Sequence, residues 1–280
     1  MVNTTEIRPC PQLRPFIRSY AYREVFASGG KMIRPVVAAH EFLITFNLTQ
    51  IKYGFIKPAA PGINPVEETM NSSILITGLG TQFGGLITTS GYSRLFTIYF
   101  TPAGFYHLFG VPAFHFTNVF EEDAYTCNRY LKELHTKLME TDSSFQMVHY
   151  SEAFLLEQLS KRKMKDSFRC MLAMSSSMSR SNENCSVEQM AYTANMSMKT
   201  FERHFVEQVG SPPKMFARVV RFNKAIAAKM NNFRLSWTSI AHDCGYYDQM
   251  HFIRDFRDFS GTTPTDFFKH TPPPQEIYMD

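Results

Sequence analysis

Phe201-x-Arg203-x-Phe205 followed by Gly210-x-x-Pro213-x-x-Phe216, then Phe252-x-Arg254-x-Phe256 followed by Gly261-x-x-Pro264-x-x-Phe267: one pattern is written twice near the end of the chain. Six matched positions share a single offset of 51 residues, the mark of an internal duplication. Upstream of the first copy, Ser186 and Gln189 have capping-box spacing and start a helix with Val187, Met190 and Ala191 on its apolar side. Asn195 tolerates the left-handed conformation of a helix end and stops it. Ser197 then caps a second helix in which Phe201, Phe205 and Val209 recur every four residues. In the second copy Ser236 caps a helix carrying Trp237, Ile240 and Ala241, Gly245 makes the turn, and Asp248 caps a helix with Phe252, Phe256 and Phe259 inward. Ser197 and Asp248 each stand four residues before the first Phe, so the two recognition-helix caps are equivalent.

Two short helices joined by a tight turn, the second amphipathic and flanked by basic residues, describe a helix-turn-helix. A single copy reads equally well as a packing hairpin; duplication favours the DNA-binding reading. Between the copies Pro213–Met230 reads as one helix of 18 residues. At about 1.5 Å per residue it spans roughly 27 Å, enough to hold two recognition helices about one DNA turn apart.

The stretch Ile240-Ala241-x-x-Cys244-Gly245-Tyr246-x-Asp248-Gln249-x-His251-Phe252-x-Arg254-x-Phe256, closed by Gly261-x-x-Pro264-x-x-Phe267, resembles the signature of the AraC/XylS family of transcription regulators. The resemblance covers residues 186–270. It implies two helix-turn-helix units on a linker helix, double-stranded promoter DNA and RNA polymerase as partners, usually activation of transcription, and no chemistry.

Helix phase selects the DNA face. With the Phe residues inward, Met198, Lys199, Glu202 and Arg203 of the first recognition helix turn outward, as do Gln249, Met250, Ile253 and Arg254 of the second. Arg203 and Arg254 suit guanine, Gln249 suits adenine, and Met250 and Ile253 offer apolar contact to thymine methyls. Each Arg reads alternatively as a phosphate contact or a surface ion pair. Candidate phosphate contacts are Lys199, Thr200, Lys214, Arg218 and Arg221.

Charge is divided in the same sense: residues 1–160 carry 12 Lys and Arg against 13 Asp and Glu, and residues 161–280 carry 17 against 12. The halves are therefore −1 and +5. The run Lys161-Arg162-Lys163-Met164-Lys165 reads as a solvated helix end. With 280 residues, 44% of them hydrophobic, the chain holds two ordinary cores. There is no signal peptide and no apolar run near 18 residues, so a cytoplasmic protein with no membrane partner is expected. Five scattered cysteines without a Cys-x-x-Cys pair suggest reduced thiols.

From about residue 31 to 120 the texture is that of strands: Phe42–Leu48, Ile74–Thr77, Phe83–Thr88 and Leu95–Phe100 are β-branched and aromatic runs separated by Gly, Pro and Asn. The expected fold is α+β in two domains, an N-terminal antiparallel β-barrel with helices and a C-terminal all-α double helix-turn-helix. Residues 1–120 are expected as the barrel, 121–174 as a helical segment, 175–185 as a polar linker, 186–270 as the DNA-binding domain and 271–280 as a tail. Within the helical segment, Tyr130, Leu131, Leu134 and Leu138, and then Phe154, Leu155, Leu156 and Leu159, fit a homodimer seam or a lid on the barrel equally well.

This order is similar to that of family members whose cupin-like barrel senses a small ligand, and the opening Pro11-x-Leu13-x-Pro15-Phe16-Ile17-x-Ser19-Tyr20 is similar to the start of such sensor domains. His40, Tyr53, Arg94 and Tyr99 are the pocket candidates, each read alternatively as core or surface. Metal-dependent cupins need His-x-His with further ligands. No His-x-His occurs, and no Gly-x-Ser-x-Gly elbow or phosphate-binding Gly loop. Neither enzyme activity, metal nor cofactor is expected. The functions compatible with the sequence are a ligand-responsive regulator, an activator as the resemblance implies; a constitutive regulator whose first half dimerises or binds a protein; and, remotely, a cupin-type enzyme fused to a DNA-binding module.

Overall fold

Long β-branched and aromatic runs pair with one another before anything else can be placed. In a computed structural model, which describes residues 2–49, 53–58, 64–70, 72–122, 128–163, 166–180 and 186–270, they form one eight-stranded antiparallel sheet. Its strands are β1 (Val2–Ile7), β2 (Ile17–Val36), β3 (Phe42–Asn47), β4 (Tyr53–Ile56), β5 (Glu67–Met70), β6 (Ile74–Thr77), β7 (Gly85–Phe100) and β8 (Phe120–Glu122). The order is β1-β2-β7-β3-β6-β8, with β4 pairing β5 and β7. Among the described residues nothing joins β1 to β8, so the expected barrel is an open cupin-like sheet. The expected strands at 83–88 and 95–100 are one strand, β7. Gly91, at φ 74°, lies opposite Ala27 where the β2 register shifts, so the strand turns at this glycine without ending.

The pleat sends alternate residues to opposite faces. One face carries Tyr20, Phe42, Ile44, Phe46, Ile74, Ile76, Phe96, Ile98 and Phe100, all buried. Helices α1 (Gly104–Phe109), α2 (Asn128–Met139) and α3 (Ser144–Ser160) complete that core with Phe105, Leu108, Leu131, Leu134, Leu138, Met147, Val148 and Leu155. The leucine stripe of α2 is thus filled from within its own chain, which is the lid arrangement. Arg162 is exposed, as expected, and it also donates through Nε to Leu108 O at 3.1 Å and bonds Phe109 O, finishing the end of α1.

Helix α4 (Asp166–Arg180) runs into the expected linker: residues 175–180 are helical, and 181–185 lie outside the described residues. Ser175 and Ser179 return their hydroxyls to Met171 O and Ser175 O at 2.6 and 3.0 Å, and Phe168, Met171 and Ser175 are buried. Serines that bond the preceding turn join a helix which polarity alone reads as a loop. The expected tail, 271–280, lies outside the described residues.

The duplicated unit follows as α5 (Val187–Thr193) and α6 (Met198–Val209), the linker helix α7 (Pro213–Asn231), α8 (Trp237–Asp243) and α9 (Gln249–Ser260), and α10 (Pro264–His270). Ser186 and Gln189 close a capping box, and Ser236 accepts from Ser239 N at 3.1 Å. Asn195 and Gly245 make the turns at φ 52° and 77°, and Gly210 and Gly261 end α6 and α9 at φ 106° and 75°. The first unit shares its core with the sheet domain, whereas the second has a separate core built on Phe222, Ile226, Ile240, Phe252, Phe256 and Phe259, to which the sheet domain adds Val37 and Ala38.

Candidate nucleic-acid interface

Each recognition helix is set by its cap and its aromatic stripe. In α6 the Ser197 hydroxyl accepts from Thr200 N at 3.2 Å, and in α9 the Asp248 carboxylate accepts from His251 N at 2.6 Å. Phe201, Phe205 and Val209 anchor α6, and Phe252, Phe256 and Phe259 anchor α9. What remains outside is the set the phase selects. Met198, Lys199 and Arg203 are exposed and Glu202 is half-buried; Gln249, Met250 and Arg254 are exposed and Ile253 is half-buried. Both Arg side chains stand in the N-terminal half of their helix, the part that meets base edges in this motif.

The two faces differ in their surroundings. Lys199, Glu202, Arg203, Val206 and Glu207 line a groove of about 660 Å³ whose far wall is Pro112 and Phe114, beside the 3-10 turn Ala113–Phe116 of the sheet domain. Tyr192 and Tyr247, 87% and 93% exposed beside the two recognition helices, were not singled out by sequence reasoning. Tyr192 stands five residues before the Ser197 cap and Tyr247 immediately before the Asp248 cap, where a large exposed ring has no packing reason to be.

Of the phosphate candidates, Lys199 and Lys214 are exposed. The Thr200 hydroxyl accepts from Ser197 Oγ at 2.9 Å. Arg218 is committed elsewhere: Nε and Nη2 donate to Asp255 Oδ1 at 3.2 and 2.7 Å, Nη2 reaches Asp258 Oδ2 at 3.3 Å, and the guanidinium lies 5.1 Å over Phe259. Asp255 is 1% exposed and holds the Arg218 pKa above its usual value. This pair ties α7 to α9, so Arg218 carries a structural contact between the two helices. Arg221 lies over the Tyr246 ring at 5.4 Å, and burial pushes the Tyr246 phenol well up.

The four pocket candidates do not converge. Arg94 and Tyr99 are five residues apart on β7 and therefore face opposite ways. Arg94 pairs with Asp142 at the surface, whereas Tyr99 is fully buried and accepts from Arg23 Nη2 at 2.5 Å. Tyr53 keeps its hydroxyl buried beside Ser93, and burial raises its pKa. His40 leaves the sheet for α7, its Nδ1 lying 2.7 Å from Asn223 Oδ1. The residue missed was Arg23, 3% exposed on the face that also buries Ser19, Ser93 and Thr97. Its alternation with Ser19 and Ala21 was the available signal, hidden because β2 was not recognised before residue 31. Among the described residues no three His, Cys, Asp or Glu side chains gather as a metal site, and no helix is long and apolar enough to cross a membrane.

Residues 190–270 match the model of a family described as a helix-turn-helix domain, and residues 5–122 match one described as a domain of unknown function, DUF6597. No curated protein matches. Among solved structures, ToxT from Vibrio cholerae O395 is similar with a TM-score of 0.47 at 12% identity, over 96% of either chain. Unsaturated fatty acid bound wild-type ToxT from Vibrio cholerae strain SCE256 gives 0.46 at 10% identity, over 100% of this chain and 97% of that one. A DNA-binding transcriptional dual regulator from Escherichia coli K-12 gives 0.31 at 19% identity, over 39% of this chain and 100% of that one.

Proposed function

We propose that this chain, with a helix-turn-helix domain at residues 190–270 that resembles the AraC type, is a DNA-binding transcription regulator that reads two unlike half-sites, activates its promoters through RNA polymerase and answers to a small ligand. The observation that carries the reading is the pair of equivalently capped recognition helices with different exposed residues, Lys199, Glu202 and Arg203 against Gln249, Met250 and Arg254. A shared scaffold with different reading residues suits a site whose halves differ in sequence. Selection of duplexes from a random library tests it: an asymmetric two-part site is expected, and enrichment of nothing beyond random DNA defeats it.

Support for ligand sensing comes from the sheet face that buries Ser19, Arg23, Ser93, Thr97 and Tyr99 opposite an apolar core. Polar groups cost free energy when buried without use, and a ligand is one use. In this reading the N-terminal domain binds and does not catalyse. A second copy of the chain is the proposed partner of Tyr130, Met139 and Phe145, which remain 51%, 42% and 72% exposed on α2 and α3. Thermal-shift screening of metabolites tests the ligand, because a compound that binds only the folded chain raises its melting temperature; light scattering tests the dimer.

A further inference from the structure

The two glycine caps of the duplicated unit, Gly210 and Gly261, are both held by the N-terminal domain. At the first, Thr117 Oγ1 donates to Gly210 O at 2.7 Å and the Tyr106 hydroxyl donates to Glu207 Oε1 at 2.8 Å. At the second, Ala38 N donates to Phe259 O at 2.9 Å and Phe83 N to Asp258 O at 3.0 Å. The last carbonyls of a helix have no partner within it; at the end of α9 the sheet domain supplies the donors. The fit is close in both places. A Cβ added at Gly261 would lie 2.7 Å from the Phe83 ring, and one at Gly210 would lie 2.9 Å from Thr117 Oγ1. Val37 and Ala38 also enter the core of the second unit.

A third grip lies between them. Asn223, 5% exposed near the middle of α7, donates through Nδ2 to Ala38 O at 2.8 Å, and its Oδ1 accepts from His40 N at 3.2 Å. The two recognition helices are therefore joined twice, once through α7 and once through the sheet domain. One helix leaves its ends free to bend and twist relative to each other, whereas a closed ring of contacts does not. The grips fall on the C-terminal ends of α6 and α9, so Arg203 and Arg254 in the N-terminal halves remain exposed, Arg203 facing Pro112 and Phe114 across the groove.

We infer that the N-terminal domain is a brace that sets the distance and angle between the two recognition helices, so that Asn223, Thr117 and the backbone of Ala38 and Phe83 determine which half-site spacing the protein accepts. The inference rests on the DNA-binding reading above. These are positioning residues: they touch no base, and their removal relaxes spacing without changing which bases are preferred.

The test uses the full chain and duplexes enriched by it from a random library, rebuilt with the two half-sites moved apart one base pair at a time. The unaltered protein should lose at least about tenfold in affinity at displaced spacings, roughly the worth of a mispositioned base contact. Asn223→Ala and Thr117→Val, checked for an unchanged circular dichroism spectrum, should flatten that profile while binding a single half-site as before. Thr117→Val keeps the side chain's shape and decides the matter should Asn223→Ala not fold. Folded variants with the original spacing profile would overturn the brace alone. Failure of the unaltered chain to enrich any two-part site would overturn the DNA-binding reading and the brace with it.

Discussion

Lys214 and Arg218 are four residues apart on one helix and have opposite tasks. Lys214 is exposed, so Lys214→Ala should weaken all duplexes alike and lower the salt slope of binding by about one unit, as read by titration at several salt concentrations. Arg218 neutralises the buried Asp255, so Arg218→Ala should cost roughly 2 to 3 kcal/mol in denaturant unfolding, far more than Lys214→Ala. His107 adds a pH dependence. Burial, and then the Arg162 guanidinium, hold its imidazole below the usual range, between the rings of Phe16 and Phe168. The unfolded chain therefore takes this proton more readily than the folded one. Stability from the neutral ring is complete above about pH 6.5 and is lost as pH falls below it. The melting temperature should drop as pH falls below about 6.5, and His107→Phe should flatten that drop. Sequence revealed the exposed phase of Lys214 but not the fate of Arg218, because its partner lies 37 residues away across a helix contact.

At the scale of elements, the caps and turns govern the duplicated unit. Gly210→Ala places a Cβ at φ 106° against Thr117, and Gly261→Ala at φ 75° against Phe83, so each should cost about 1 to 2 kcal/mol or more in thermal unfolding. The same substitution at an open left-handed cap would carry only the backbone part. These helices were legible because every signal that makes them is local: Ser197 and Asp248 bond within their own first turn, and Phe recurs every four residues. β2 and the last turn of α4 were not. β2 passes from Ser19 to Val36 through a bulge that breaks its alternation, and its pairing with β7 is long-range. Ser175 and Ser179 look like a linker until their hydroxyls find the preceding turn. The four pocket candidates fail to converge for a related reason: residue type alone does not tell which face of a strand a side chain takes, and Arg94 and Tyr99 took different ones.

At the scale of the whole molecule, the sheet domain and the reading domain are continuous. The first helix-turn-helix shares the sheet's core, and Val37 and Ala38 enter the core of the second. In the ligand-responsive function proposed above, a ligand that reshapes the sheet would reach both recognition helices through the contacts of Thr117, Asn223 and Phe83. All of this depends on two helices reading two different stretches of DNA. The most direct measurement is the binding of the full chain to a selected duplex and to random DNA after Arg203→Ala and, separately, after Arg254→Ala. Each substitution should cost about 1 to 3 kcal/mol on the selected duplex, relax base preference in a different half-site, and leave random DNA nearly unaffected. Equal losses on selected and random DNA, or relaxation of the same half-site by both substitutions, would contradict the account.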